Sequence, residues 1–241
     1  MKIAINTLPL LRNKAGAEQY TFNIINELAK IDKKNQYYII VSSLNKDIYK
    51  INQDNFNLIQ INTNTKNKII RILLEQALLP LLLLFKNIDV LFSPCNIMPI
   101  LSPCFNVTMI FDMHWFIESK KINKGRLFYI KNFIKLSAIR SNKVLTLSES
   151  SKKDIVKYTN IDEKKITVTP IGKTPLCALK HSLKKDDWQD VKLKYKLDKK
   201  YILFIGQLLY RKNVDIVIKA MAGLTEDDFD FIIIDECHRS S

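Results

Sequence analysis

The chain has 241 residues, 47% of them hydrophobic and 26% charged, which excludes a disordered, collagenous or disulfide-scaffold protein and allows one large domain or two modest ones. Its formal net charge of +14 at pH 7 points to an acidic partner, whether anionic lipid, nucleic acid or a phosphorylated substrate, or else reflects lysine-rich coding with no partner implied. Cys95, Cys104, Cys177 and Cys237 are far apart and form no Cys-x-x-Cys pair, so they read as free thiols in a reducing compartment.

Lys2–Asn6 reads as a first strand and is too short an apolar stretch for a signal peptide. After a polar loop containing Gly16, Tyr20, Ile24 and Leu28 recur at helical spacing, with Phe22 and Ile25 widening the apolar face. Strands follow at Tyr37–Val41 and, more weakly, Leu58–Ile61. Residues 69–86 read as helical around Pro80. The apolar run within them, 72–85, is shorter than the roughly 20 residues of a membrane span, and Glu75, Gln76 and Pro80 interrupt it. Val90–Phe92 and Val107–Phe111 are strands, the second ending at Asp112. Residues 126–140 form a basic helix whose apolar face either packs on a sheet or touches anionic lipid. Val144–Leu147 is a strand, Ser151-Lys-Lys-Asp154 reads as a capping box, and Ile166–Thr169 is a strand closed by Pro170-Ile171-Gly172.

Strands alternating with helices specify an α/β fold, a Rossmann-like parallel sheet with flanking helices, whose ligands bind at the strand C-termini. We divide the chain into a domain over 1–175, a charged connector with some helix over 176–199, and the start of a second Rossmann-like domain over 200–241. That second unit opens on the most informative stretch, Tyr201–Asn213. Here an apolar run ends in Gly206, and Arg211 and Lys212 stand where a helix begins. Cations there oppose the helix dipole, so they read either as a solvated helix start or as partners for a bound anion, here a nucleotide diphosphate.

Four segments, in this order, resemble a retaining family 4 glycosyltransferase of the two-domain GT-B type. They are Gly16-Ala-Glu-Gln-Tyr20; Glu75 to Pro80 with Asp89 to Pro94 and Pro99; Val144 to Gly172; and Tyr201 to Asn213. The resemblance implies transfer of a sugar from a nucleotide sugar to a polysaccharide or lipid-linked cell-envelope acceptor, in the cytoplasm or at the inner face of the membrane. No metal or resident cofactor is expected, and no nucleic acid; peripheral contact with anionic membrane is. By the resemblance, Gly206, Arg211 and Lys212 hold the donor diphosphate and Gly16 belongs to the loop near donor and acceptor. Glu18, Ser148 and Ser151 each allow a binding role or an ordinary helix-terminus role. Asp112 occupies the aspartate of the family's His-Asp position, with Phe111 in place of the histidine, and His114 is its candidate substitute, otherwise an ordinary loop histidine.

The family's donor domain also carries two glutamates eight positions apart, and no two glutamates here have that spacing. We therefore expect a truncated donor domain. The ending from Phe229, with Asp235-Glu-Cys-His238, resembles the Asp-Glu-x-His box of superfamily 2 helicases and type I restriction translocases, but none of the five glycines builds the phosphate loop that such chemistry needs. A non-catalytic acceptor-binding or membrane-associated assembly module is the alternative reading of the whole.

Overall fold

A computed structural model describes residues 1–10, 16–49, 51–63, 65–117, 124–172, 185–195, 197, 200–206, 208, 212–221 and 229–234. The chain divides into two compact units, Met1–Gly172 and Lys173–Ser241. Within the first, strands β1 (Lys2–Asn6), β2 (Gln36–Ser42), β3 (Phe56–Ile61), β4 (Val90–Ser93), β5 (Phe105–Met109), β6 (Lys143–Thr146) and β7 (Ile166–Val168) form one parallel sheet in the order β3-β2-β1-β4-β5-β6-β7. The order reverses direction at β1, where two crossovers diverge, and such a reversal opens a crevice at the strand C-termini.

Both faces of the sheet are covered, as a parallel sheet requires. Ala4 and Ile5 are successive residues of β1 that point to opposite faces, and both are fully buried. Ala4 packs with Ile40, Leu79, Leu83 and Leu91, against the helical segment 68–85. Ile5 packs with Ile25, Ala29, Ile39 and Phe56, against α1 (Gly16–Ile31). The far half of the sheet is closed by α5 (Lys124–Arg140) and α6 (Glu149–Thr159), through Ile134, Ala138, Val144 and Ile155. A single turn, α4 (His114–Ile117), precedes α5.

The sequence pattern places most elements correctly and misplaces some details. On α1 the buried stripe is Thr21, Ile25 and Ala29; of the expected apolar residues Ile25 lies in it, while Tyr20, Phe22, Ile24 and Leu28 are half-buried. β5 stops at Met109, so Phe111 and Asp112 lie beyond its end. The capping box at Ser151 is not the one formed. Ser148 is the N-cap, in extended conformation, and its hydroxyl accepts the Ser151 N–H at 3.1 Å. An extended residue can turn its side chain back over the first turn, which Ser151, already helical, cannot do. The other end of α6 stops at Asn160, whose left-handed backbone (φ 58°) lets its N–H reach the Val156 carbonyl.

The segment 68–85 carries the most consequential irregularity. Asn67 caps α2 (Lys68–Leu73), a π-helical turn occupies Leu74–Leu78, and α3 (Leu79–Phe85) continues it. Leu79 N–H reaches back five residues to the Leu74 carbonyl. Pro80 supplies the cause: it has no N–H to give, and its ring crowds the carbonyl four residues earlier, so the preceding turn widens. The widened turn holds Gln76 against the loop after β4, where its amide donates to the Met98 carbonyl (3.2 Å) and accepts from Ile100 N–H (3.0 Å).

In the second unit, α7 (Lys185–Lys194) precedes a two-stranded parallel sheet of β8 (Lys200–Ile205) and β9 (Phe229–Ile234), with α8 (Val214–Met221) between them in sequence. Leu203, Ile205, Ile216 and Ile218 remain exposed. No described helix is long and apolar enough to cross a membrane.

The cap assignment is testable in urea. Ser148→Ala should cost about 1 kcal/mol of unfolding free energy, and Ser151→Ala less than half of that; equal losses would return the cap to Ser151.

Candidate functional site

The loops after β4 and β5 emerge at the C-terminal edge of the sheet, where the candidate residues of the first unit gather. Asn96, with a left-handed backbone (φ 54°), binds the two loops together. Its N–H donates to Met109 O at 2.8 Å, and its side-chain oxygen accepts Phe111 N–H at 3.0 Å. Phe111 packs edge-on against Tyr20 of α1, ring centroids 5.4 Å apart. The residue standing in the resembled family's histidine position is thus part of the apolar packing beside the edge.

Asp112 and His114 come together as a pair. Asp112 Oδ1 accepts the backbone N–H of His114 at 3.2 Å and also meets His114 Nδ1. This turn places both side chains at the start of α4, with the His114 ring 4.3 Å from the Trp115 ring. A carboxylate on Nδ1 orients the imidazole and leaves Nε2 as its outer nitrogen, an arrangement suited to proton exchange or to a sugar hydroxyl. Gly16 starts α1, and a Cβ built on it meets nothing within 4 Å, so packing does not demand glycine there.

In the second unit, Gly206 follows β8 in a backbone conformation (φ +155°) that side-chain-bearing residues rarely adopt. Lys212 is exposed two residues before Val214, the first residue of α8, so it precedes the helix rather than lying in its first turn. Arg211 lies outside the described residues.

A feature the sequence reading did not single out as a site lies within the first unit. A cavity of about 520 Å³ is lined by α2, the π-helical turn, the loop after β4, α4 and α5. Lys68, Arg71 and Arg126 bring three cations to it, while Trp115 and Tyr129 supply aromatic surface. Glu75, from the widened turn, is its one carboxyl and is 5% exposed. Burial raises the Glu75 carboxyl to about 7, against the weaker opposing effects of Arg71 and of a hydrogen bond from Asn6. Neither Glu75 Oε1 nor Arg71 Nε, both buried, has a hydrogen-bond partner. Tyr129 shares the same surroundings: burial raises its phenol to about 12, with Glu75 adding to the rise and Arg71 opposing it. The sequence signal for this site was a glutamate inside an apolar run, five residues before a proline.

Cys95 and Cys104 are free thiols, and among the described residues no three His, Cys, Asp or Glu side chains gather to hold a metal.

No family model and no curated protein matches the sequence. Solved structures do match the fold. The chain is similar to a glycosyltransferase from Rickettsia africae ESF-5, with 18% identity and a TM-score of 0.62 over 97% of this chain and 60% of that one. It is similar to Anabaena HepE in complex with UDP, with 11% identity and a TM-score of 0.59 over 97% and 60%. It is also similar to a putative UDP-N-acetylglucosamine 2-epimerase from Listeria monocytogenes, with 13% identity and a TM-score of 0.54 over 96% and 61%. The chain spans about three-fifths of the length of each. It therefore has the Rossmann-like α/β fold of GT-B glycosyltransferases, a fold that a nucleotide-sugar epimerase shares.

The raised Glu75 carboxyl has a signed consequence for stability. A folded-state value near 7 against an ordinary 4.5 gives stability that is fully present below pH 4.5 and lost as pH rises through 7. Between pH 4 and pH 8, Glu75→Gln should gain about 3 kcal/mol relative to the parent chain in denaturant titrations. A difference that does not change with pH would show that Glu75 is ionised in the folded protein.

Proposed function

We propose that the chain serves sugar transfer from a nucleotide sugar to a polysaccharide or lipid-linked cell-envelope acceptor, with retention of anomeric configuration. The observation that carries this reading is the cavity with its cations and aromatic surface at the C-terminal edge of the seven-stranded sheet, in a fold shared with a glycosyltransferase and a UDP-bound protein. In this reading the first unit takes the acceptor. The turn after β8 takes the donor diphosphate, with Gly206 allowing close backbone approach and Arg211 and Lys212 neutralising charge as the nucleotide departs. The Asp112–His114 pair contacts the donor sugar or the acceptor hydroxyl, and Gly16 belongs to the loop near donor and acceptor. No metal is needed, because cations and a helix N-terminus do its electrostatic work. The net charge of +14 and the exposed Leu81, Leu84 and Phe85 of α3 support docking at the inner face of an anionic membrane. The second reading, a non-catalytic acceptor-binding module, shares the first unit's site and dispenses with transfer.

Radiolabelled UDP- and GDP-sugars, offered with cell-envelope lipid extract, separate these. Transfer of label to lipid or glycan is expected. Nucleotide-independent binding of the extract with no transfer would favour the module, and conversion of UDP-N-acetylglucosamine to its 2-epimer without any acceptor would overturn both. Arg211→Ala with Lys212→Ala should weaken UDP or GDP at least about tenfold in calorimetry, since charge-assisted contacts to the diphosphate are lost; unchanged affinity would remove the donor site from this turn. The chain should co-sediment with vesicles containing anionic lipid and not with neutral ones, and equal recovery with both would exclude the charge-driven docking.

A further inference from the structure

The cavity beside Glu75 holds two buried polar atoms that a folded protein does not ordinarily leave unmatched. Arg71 Nε is a donor facing no acceptor, and Glu75 Oε1 has no partner of its own. A buried group without a hydrogen bond costs stability, and the cost is recovered when a ligand supplies the missing partner. The two atoms ask for different things. Arg71 needs an acceptor, preferably a charged one, because guanidinium pairs best with carboxylate or phosphate. Glu75 needs a group that can both donate and accept, as a hydroxyl does.

The surroundings narrow the choice. Three cations line the cavity, and its single carboxyl is 5% exposed and shielded from water. Cations that line a partly enclosed space favour an anion placed among them. Trp115 presents aromatic surface, braced by the Arg126 guanidinium 5.7 Å from its ring centroid, and Tyr129 presents more. A volume of about 520 Å³ accommodates one or two sugar rings.

We propose that this cavity recognises a sugar bearing an anionic group, a phosphate or a carboxylate, with Lys68, Arg71 and Arg126 taking the anion and Glu75 hydrogen-bonded to a sugar hydroxyl. The inference rests on the reading of the first unit as the acceptor side and supplies that acceptor's chemistry: an acidic glycan, held by its charge. The π-helical turn before Pro80 is then a positioning device, because it turns Glu75 into the cavity while Gln76 locks the helix to the loop after β4.

The test uses the full chain with isoleucine δ1-methyl labels and three probes: glucose 6-phosphate, glucuronate and glucose. The acidic probes should shift the methyls of Ile72, Ile97, Ile130 and Ile134, which line the cavity, and glucose should not. Binding of the phosphate alone or the carboxylate alone supports the site and names its anion. Lys68→Met, on the exposed first turn of α2, should weaken the acidic probe by about three- to tenfold, and Arg71→Met by more than about tenfold, as expected for charge-assisted contacts. Glu75→Gln, which keeps a donor and an acceptor, should preserve binding, whereas Glu75→Leu should lose it. A control with Lys157→Met and Lys164→Met removes two charges from the region of α6 and should leave binding unchanged.

Equal binding of glucose, shifts spread over the protein, no shift with either acidic probe, or equal weakening by the α6 control would each overturn the proposal. These readouts are independent of nucleotide. A chain that binds acidic sugar here but transfers none keeps the site and loses the proposed reaction; one that transfers sugar while this cavity stays silent keeps the reaction and loses the site.

Discussion

Pro80 has no N–H to offer the helix it sits in, and the candidate site of the first unit follows from how the chain accommodates that. Widening one turn restores backbone pairing, with Leu79 reaching back to Leu74. The same widening brings Glu75 against the sheet edge and leaves Gln76 bound to two backbone groups of the loop after β4. A regular helix through this stretch would place these side chains at a different angle around the axis, each residue being offset by about 100° from the last. The irregularity is therefore coupled to the cavity and also ties it to the core, since Leu79 and Leu83 of the continuing helix pack with Ala4, Ile40 and Leu91.

Electrostatics then give the cavity its character. An ionised Glu75 neutralises part of the field of Lys68, Arg71 and Arg126; burial pushes its carboxyl up to about 7, which weakens that neutralisation towards acid pH. In the other unit, Lys212 stands before α8 and Gly206 follows β8.

Strands and helices were legible because apolar spacing and turn residues are local signals. β1 is found over the expected Lys2–Asn6, and the repeat of Tyr20, Ile24 and Leu28 falls within the 16-residue α1. Errors arose where two local solutions compete. Ser148 and Ser151 both suit a helix start, and only the extended backbone of Ser148 selects it. On α1 the repeat of Tyr20, Ile24 and Leu28 marks the helix, but of the apolar residues named there only Ile25 belongs to the fully buried stripe, with Thr21 and Ala29. Asp112 and His114 are each named through the resemblance, and their contact becomes visible only in the folded turn. The cavity could not be read at all, because it draws Arg71, Glu75, Trp115 and Arg126 from stretches far apart in sequence, and a tally of single motifs does not detect their convergence. Glu75 was visible as an interruption of an apolar run; its burial depends on the turn that Pro80 imposes.

The most direct measurement is the carboxyl carbon shift of Glu75, followed by pH titration of protein labelled with ¹³C-glutamate and assigned by its loss in Glu75→Gln. A midpoint near 7 is expected if the widened turn seals this carboxyl into a cationic cavity. A midpoint near 4.5, the ordinary value, would mean that Glu75 is solvated and that the cavity lacks the electrostatic character on which its proposed ligand depends.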